Sequence, residues 1–197
     1  MIDQDVSRAS TQSRQKAIAA AARALIAERG FEGLRTRDIA ERVGINIATL
    51  HYHVPTKQAL VRLVAQSLRE DFMAQNRRRP RSEFGAAARL ELEFTDFREI
   101  FETDQQLLVV MAELGARARR DEEVAAEIAP MHAHWHGQVA EILAQGRADG
   151  AFDPSLDPTA LATIVIGSMT ACLRQPCRGL DHLDAVCSQL RRLIIKT

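Results

Sequence analysis

Polar side chains that can bind anions crowd into one short segment, GINIATLHYHVPTKQAL at residues 44–60. Four of them offer hydroxyl, imidazole or phenol groups, which hydrogen-bond to phosphates and base edges without bringing a fixed charge out of water: Thr49, His51, Tyr52 and His53. Lys57 follows in the first turn of the next helical pattern, where the helix dipole disfavours a cation. A bound phosphate would satisfy that lysine and the nearby backbone N–H groups, although a solvated surface lysine is the alternative.

A second group of candidate ligands is HAHWH at residues 132–136. His132 and His136 are four residues apart and therefore share one helical face, as in pairs that bind zinc. A metal centre needs three or four ligands, and no nearby cysteine or carboxylate pattern completes one. Solvated histidines, or histidines that line a pocket for a polar ligand, are the alternative. We expect no metal, no cofactor and no catalytic residues, since neither a nucleophile–base pair nor a complete metal site is recognisable.

Helical spacing and capping residues define the elements that hold the first segment. Residues 1–13 are polar and unpatterned and predict a loose arm, and a first helix runs from residue 15 to residue 29, where Gly30 provides a left-handed cap. Three residues can cap the next helices: Thr36, Asn46 and Thr56. Gly44 and Pro55 end the two short helices between them. In the second of these short helices Leu50 and Ala48 are expected to face the core.

The rest of the chain is predicted to be helical throughout. The run RRRPR at residues 77–81 ends the fourth helix, and apolar stripes then predict four or five more, including one that opens at Asp157 and Pro158. The pattern gives an all-α protein of about nine helices. Candidate lining residues of an effector cavity lie in this part, although each is equally a core residue: Phe94, Phe97, Phe101, Met111 and Trp135, with His132 and His136. The last two helices are candidates for a homodimer interface, with packing inside one chain as the alternative.

Composition and charge limit the classes of protein. The chain has 197 residues, 46% hydrophobic and 26% charged, which is typical of a folded helical protein. No apolar run approaches the roughly 20 residues that span a bilayer, and no signal peptide is visible, so we expect a cytoplasmic protein. Cys172, Cys177 and Cys187 are expected to be buried or idle thiols.

The net charge is zero, but residues 1–81 hold 15 Lys and Arg against 8 Asp and Glu, while residues 82–197 hold 11 against 18. Such a basic first part is expected to meet a polyanion.

Two short helices joined by a glycine-containing turn form a helix-turn-helix, whose second helix enters a major groove about 12 Å wide. Residues 14–60, RQKAIAAAARALIAERGFEGLRTRDIAERVGINIATLHYHVPTKQAL, resemble the N-terminal domain of the TetR family of bacterial transcriptional regulators. The matching features are Gly30-Phe31, Thr36, Ile39-Ala40, Val43-Gly44, Thr49-Leu50-x-Tyr52-His53, and Lys57 to Leu60. The later residues match only as a run of helices.

The resemblance implies a three-helix DNA-binding domain at residues 1–57 and a larger effector-binding and dimerisation domain at residues 58–197. It implies a homodimer that binds double-stranded operator DNA and represses transcription until a small-molecule effector binds. By position, the DNA-contacting residues would be Thr36, Arg37, Asn46, Ile47, Thr49, His51, Tyr52, His53 and Lys57. Ile47 replaces a residue that is often polar in the family, and Val54 replaces a commoner Phe. The alternative function is a small helical enzyme or metal-responsive protein that uses His132, His134 and His136.

Overall fold

Nine α-helices and two 3-10 turns follow one another in the computed structural model, which describes residues 2–174 and 179–195. The α-helices are α1 Ile2–Arg29, α2 Thr36–Val43, α3 Ile47–His53, α4 Lys57–Arg78, α5 Ala86–Thr103, α6 Gln105–Ala118, α7 Glu122–Ala148, α8 Pro158–Ala171 and α9 Gly179–Ile194. The 3-10 turns are Phe31–Gly33 and Cys172–Arg174. Within these described ranges the only β pairing is an isolated bridge between Phe152 and Ile195. The predicted all-α fold is confirmed.

The predicted side-chain caps are confirmed at three helices. Asn46 Oδ1 accepts a hydrogen bond from the Thr49 N–H at 2.7 Å and so begins α3. Thr56 Oγ1 accepts from the Ala59 N–H at 3.0 Å and begins α4. Asp157 Oδ1 accepts from two N–H groups of the first turn of α8, at 2.8 and 2.9 Å. Each cap satisfies backbone donors that the helix itself leaves unpaired.

Two helix starts differ from the prediction. The structure begins α1 at Ile2, so the expected loose arm is helical over residues 2–13. That run carries acidic residues at its start, which favour a helix N-terminus, but it lacks the apolar stripe by which periodicity recognises a helix. The cap of α2 is Arg35 and not Thr36, because the last extended residue is Arg35 and its carbonyl accepts from the N–H groups of Asp38 and Ile39. Thr36 is the first helical residue and is exposed.

Gly44 ends α2 in the left-handed conformation, with φ 71° and ψ 36°. A side chain there would meet no atom within 4 Å, so only the backbone conformation opposes a substitution. We expect Gly44→Ala to lower the free energy of unfolding by about 1 kcal/mol. Gly137 provides the matched control, since it lies inside α7 with the same open space, and Gly137→Ala is expected to raise stability by about 0.5–1 kcal/mol. Urea denaturation measures both; equal effects of the two substitutions would contradict the conformational explanation.

The chain divides into two compact units. The first comprises Met1–Ala74 with Val109–Ala129, and the second comprises Gln75–Leu108 with Pro130–Thr197. In the first unit α1 packs on α2 and α3. In the second unit α9 packs on α5 and α8. The domain boundary predicted after residue 57 stays a prediction, because these units are defined by packing and not by function.

The structure describes two of the three cysteines, and both lie in the second unit. Cys172 and Cys187 are buried free thiols, and burial raises the pKa of Cys187 to about 11. The expectation of buried thiols is confirmed for these two, whereas Cys177 lies outside the described residues. No helix in the described part of the chain is sufficiently long and apolar to cross a bilayer.

Candidate nucleic-acid interface

The short helix α3 is attached to the first unit by two side chains. Leu50 is only 1% exposed, and Val54, immediately after the helix, is also buried. These residues are four apart and therefore lie on one face, against α1 and α2. The valine that departs from the commoner phenylalanine is thus a core residue here. One inward stripe of this kind leaves the rest of α3 free to face outward.

The outward face of α3 consists of four exposed residues: Ile47, Ala48, His51 and Tyr52. Among the large apolar side chains whose exposure the structure describes, that of Tyr52 is the most exposed, at 80%. The expectation that Ala48 faces the core is wrong, since at 3.6 residues per turn Ala48 and Tyr52 stand on the side of the helix opposite Leu50. This face presents an imidazole, a phenol and two apolar side chains, which can donate, accept and pack against methyl groups.

The other residues predicted to contact DNA are arranged around this face in different ways. Thr36 and Arg37, in the first turn of α2, are exposed. Thr49 and His53 are half-buried, and the His53 ring packs edge-on against Tyr52 with centroids 5.1 Å apart. The side-chain oxygen of Asn46 caps α3, so that residue positions the helix whether or not it also contacts a ligand.

Lys57 lies against an aromatic ring. Its Nζ is 4.8 Å from the centroid of the buried Phe31 ring, and the Arg117 guanidinium is 5.7 Å from the same centroid. A cation over an aromatic face is stabilised by the ring quadrupole. Lys57 is exposed at the start of α4, with its ammonium group over this ring.

The turn that carries Phe31 is bound by α6 and by the residues that follow it. The Phe31 N–H donates to Glu113 Oε2 at 3.4 Å, and Arg117 pairs with Glu32 and, at 2.9 Å, with Asp121. The hydrogen bond from Arg117 lowers the pKa of Asp121, with a smaller contribution from the charge of Lys57. Sequence reasoning missed these contacts because Glu113 and Arg117 lie more than 80 residues from the turn, without any local signal.

Gly30 precedes that turn with φ 72° and ψ 171°. Its positive φ was expected, but its ψ is extended and not left-handed helical, because the chain turns directly into the 3-10 turn. A Cβ at this position would lie 3.3 Å from Glu113 Oε2. Glycine is therefore favoured both by backbone conformation and by the close approach of α6.

The charge distribution is less uneven than the sequence indicates. Arg79 and Arg81, counted in the basic first part, pair with carboxylates of α5. Without the arginines of residues 77–81, residues 1–74 hold 11 Lys and Arg against 8 Asp and Glu. The first unit also includes residues 109–129, with 3 Lys and Arg against 5 Asp and Glu, so the whole unit holds 14 basic against 13 acidic residues and is nearly neutral.

The residues predicted to bind an effector are only partly brought together. Phe97 and Trp135 stack, with ring centroids 6.1 Å apart and planes at 10°. Phe94 and Phe101 are buried in the second unit, whereas Met111 is buried in the first.

The histidine cluster does not converge on one point. His132 and His134 are exposed, and His136 Nε2 lies 3.0 Å from Thr163 Oγ1. Among the described residues, no three or more His, Cys, Asp and Glu side chains form a group that could hold a metal ion.

The helices α2 and α3, with a left-handed glycine between them and one inward stripe on α3, define a helix-turn-helix protein of the DNA-binding regulator class. Residues 18–64 match the sequence profile of the bacterial regulatory proteins of the tetR family. These residues therefore carry the DNA-binding domain of the tetR-family transcriptional regulators, as the sequence resemblance predicted.

Solved structures with the same fold extend over nearly the whole chain. A transcriptional regulator from Saccharomonospora viridis, in complex with choline, is 20% identical, with a TM-score of 0.82 over 94% of this chain and 100% of that chain. A TetR-family regulator from Agrobacterium tumefaciens is 21% identical, with a TM-score of 0.82 over 93% and 99%. The ketosteroid transcriptional regulator KstR2 of Mycobacterium tuberculosis is 22% identical, with a TM-score of 0.74 over 93% and 96%. At these identities the likeness is one of fold.

Proposed function

We propose that the protein is a cytoplasmic repressor that binds a two-half-site operator as a homodimer and leaves it when a small molecule binds the second unit. The observation that supports this proposal is the exposed outward face of α3. Leu50 is the only buried residue of this short helix, so its other side chains are available to contact DNA. Ile47 and His51 are assigned to base edges. Thr36, Arg37, Tyr52, His53 and Lys57 are assigned to phosphates. The tetR-family match over residues 18–64 does not favour the alternative of a helical enzyme or metal-responsive protein.

The dimer interface is assigned to α8 and α9. The exposed face of α8 repeats at helical spacing and contains no charged residue: Ala160, Thr163, Ile164, Gly167 and Ala171. Ile164 is 55% exposed, although the opposite face of the same helix is buried in the second unit. On α9, Leu193 is likewise exposed. A second copy of the chain would cover these apolar faces through a two-fold axis, and small residues would let the helices approach closely.

The effector is assigned to the second unit, around the stacked Phe97 and Trp135. Aromatic side chains beside polar groups are typical of small-molecule sites between helices. The Saccharomonospora viridis regulator, which shares the fold, was solved in complex with choline. A small organic molecule is therefore the expected class of effector here.

Substitutions on α3 and α4 test the DNA assignment. We expect Lys57→Ala to weaken binding to all DNA sequences alike and to reduce the slope of log affinity against log salt by about 2, because the dimer loses one phosphate contact at each half-site. Arg69→Ala is the matched control, since Arg69 is an exposed cation farther along the same helix, and it should leave the slope unchanged. His51→Ala should instead change the preference among sequences. Fluorescence titrations with random and selected DNA at two salt concentrations measure these effects; absence of DNA binding by the wild-type protein at low salt would refute the assignment.

A further inference from the structure

Two carboxylates of α5 are buried in the second unit. Glu93 is 6% exposed and Asp96 is 5% exposed, and they are the buried charged residues of the described part of the chain. Their neighbours on the helix, Phe94 and Phe97, are core residues. Apolar side chains at such positions are often at least as stabilising as buried ion pairs. Packing alone therefore does not account for two acids on this part of α5.

The cations that pair with these acids come from the irregular segment between α4 and α5. Arg81 bridges Glu93 and Asp96 through its two terminal nitrogens, and Arg79 pairs with Asp96 and, at 2.5 Å, with Glu99. The segment lies outside every helix, so Arg81 can withdraw without unwinding one. The Nε of Arg81 is buried and has no hydrogen-bond partner among the described residues. A buried donor left unpaired is unfavourable, and the guanidinium thus fits this site imperfectly.

An aromatic wall adjoins the same carboxylates. The Trp135 indole N–H donates to Glu93 Oε2 at 3.2 Å, and its ring stacks on Phe97. Trp135 is half-exposed, whereas Phe97 behind it is buried. A carboxylate beside a partly accessible aromatic ring is the combination that binds organic cations, through charge and through the ring quadrupole. Sequence reasoning identified the two aromatic residues but not the two acids between the apolar positions of α5.

We propose that Glu93, Asp96 and Trp135 form a site for an organic cation, with a guanidinium or quaternary ammonium head on an apolar body, and that Arg81 fills this site when the effector is absent. The inference rests on the proposed effector response and names the chemical class of that effector. The effector exchanges places with the Arg81 guanidinium, so the buried acids remain paired throughout. Gln75, in the last turn of α4, donates to the Asp96 carbonyl oxygen at 2.9 Å, which joins the site to the helix that begins at Lys57.

Removal of the internal guanidinium tests the exchange. In full-length Arg81→Ala protein the position between Glu93 and Asp96 is vacant, although Arg79 still pairs with Asp96. Ethylguanidinium should bind this variant at least about tenfold more tightly than the wild type, in which Arg81 competes. It should also raise the melting temperature of the variant. N-ethylurea, which has nearly the same shape but no charge, should do neither. Isothermal titration calorimetry measures affinity, and scanning fluorimetry measures melting.

Two further variants control for general destabilisation. Arg98→Ala removes a surface cation from α5, the helix of the two buried acids, and should gain no affinity for ethylguanidinium. Arg98 pairs with Asp184 and Glu102. Adding Glu93→Gln to Arg81→Ala should abolish the gain. If Arg81→Ala does not fold, Arg81→Gln provides the same comparison with a neutral side chain that keeps much of the volume. Three results would overturn the proposal. The Arg81 variants bind ethylguanidinium no more tightly than the wild type does, they gain as much affinity for N-ethylurea, or they keep the gain in ethylguanidinium affinity after Glu93→Gln.

DNA titration of the wild-type protein without any added cation separates this inference from the proposed function. Salt-sensitive DNA binding with no gain of ethylguanidinium affinity in the Arg81 variants refutes the cation site alone. Loss of all DNA binding by the wild type refutes the regulator assignment, whatever the calorimetry shows.

Discussion

Replacing Ile164 by arginine is expected to convert the dimer into a monomer. Ile164 lies in the middle of the uncharged exposed face of α8, so in the proposed interface two copies of an unpaired cation would be buried. Burying a charge without a partner costs several kcal/mol, which corresponds to a dissociation constant raised by a factor of about 100 or more. The folded monomer should be little affected, because this side chain is exposed in it. Sedimentation velocity measures the change in mass.

Loss of the dimer has a second expected effect, on DNA. One half-site no longer raises the effective concentration of the other, so operator affinity should fall by about 100-fold or more. Met73→Arg is the matched control, because Met73 is a comparably exposed apolar residue on α4 and lies outside α8 and α9. It should stay dimeric. A dimeric Ile164→Arg protein would show that α8 is not the interface, and equal dissociation by both variants would show a nonspecific effect of charge.

Leu50→Ala is expected to loosen the packing of α3 on the rest of the first unit. Leu50 is the buried residue of α3, so the substitution removes the packing that orients seven helical residues. Truncation of a buried leucine typically lowers the free energy of unfolding by about 2–5 kcal/mol, and the short α3 offers little other packing to limit the loss. DNA affinity should fall as well at temperatures where the protein remains folded, since the exposed side chains of α3 lose their common orientation. Urea denaturation and DNA titration measure the two effects.

His51→Ala controls for this substitution within the same helix. His51 is exposed, so its truncation should change the free energy of unfolding by no more than about 0.5 kcal/mol. Equal loss of stability in both variants would mean that α3 is not attached through Leu50.

Features set by neighbouring residues were predictable from the sequence. Asn46 and Asp157 cap helices because the side chain and the N–H groups that it accepts from are two or three residues apart. The inward position of Leu50 follows from helical spacing in the same way. Ala48 was misassigned because a seven-residue helix has too few apolar positions to define a face by periodicity alone. The TetR resemblance succeeded because the helix-turn-helix is a contiguous stretch in which every position has a local reason.

Features that depend on distant residues were not predictable. In the sequence Arg81 belongs to a basic run, and its pairing with Glu93 becomes visible only in the folded structure. Phe31 reads as the residue after a helix end, and only the fold places Lys57 and Arg117 over its ring. The effector candidates were chosen by residue type, so they include Met111, which the structure places in the other unit. Pairings across more than ten residues carry no signal in local periodicity or capping.

The first unit is discontinuous in sequence, and this limits how the protein can be recombined with its relatives. Residues 109–129 contact the Phe31–Gly33 turn through Glu113 and Arg117, and contact α4 through the ion pair between Arg62 and Glu127, at 2.9 Å. In a chimera that exchanges only the first 74 residues, the Phe31–Gly33 turn would face an α6 from another protein, without Glu113 and Arg117 as partners. To exchange DNA specificity between such regulators, residues 109–129 must therefore be exchanged together with the first 74 residues. The alternative is to replace only the residues on the outward face of α3.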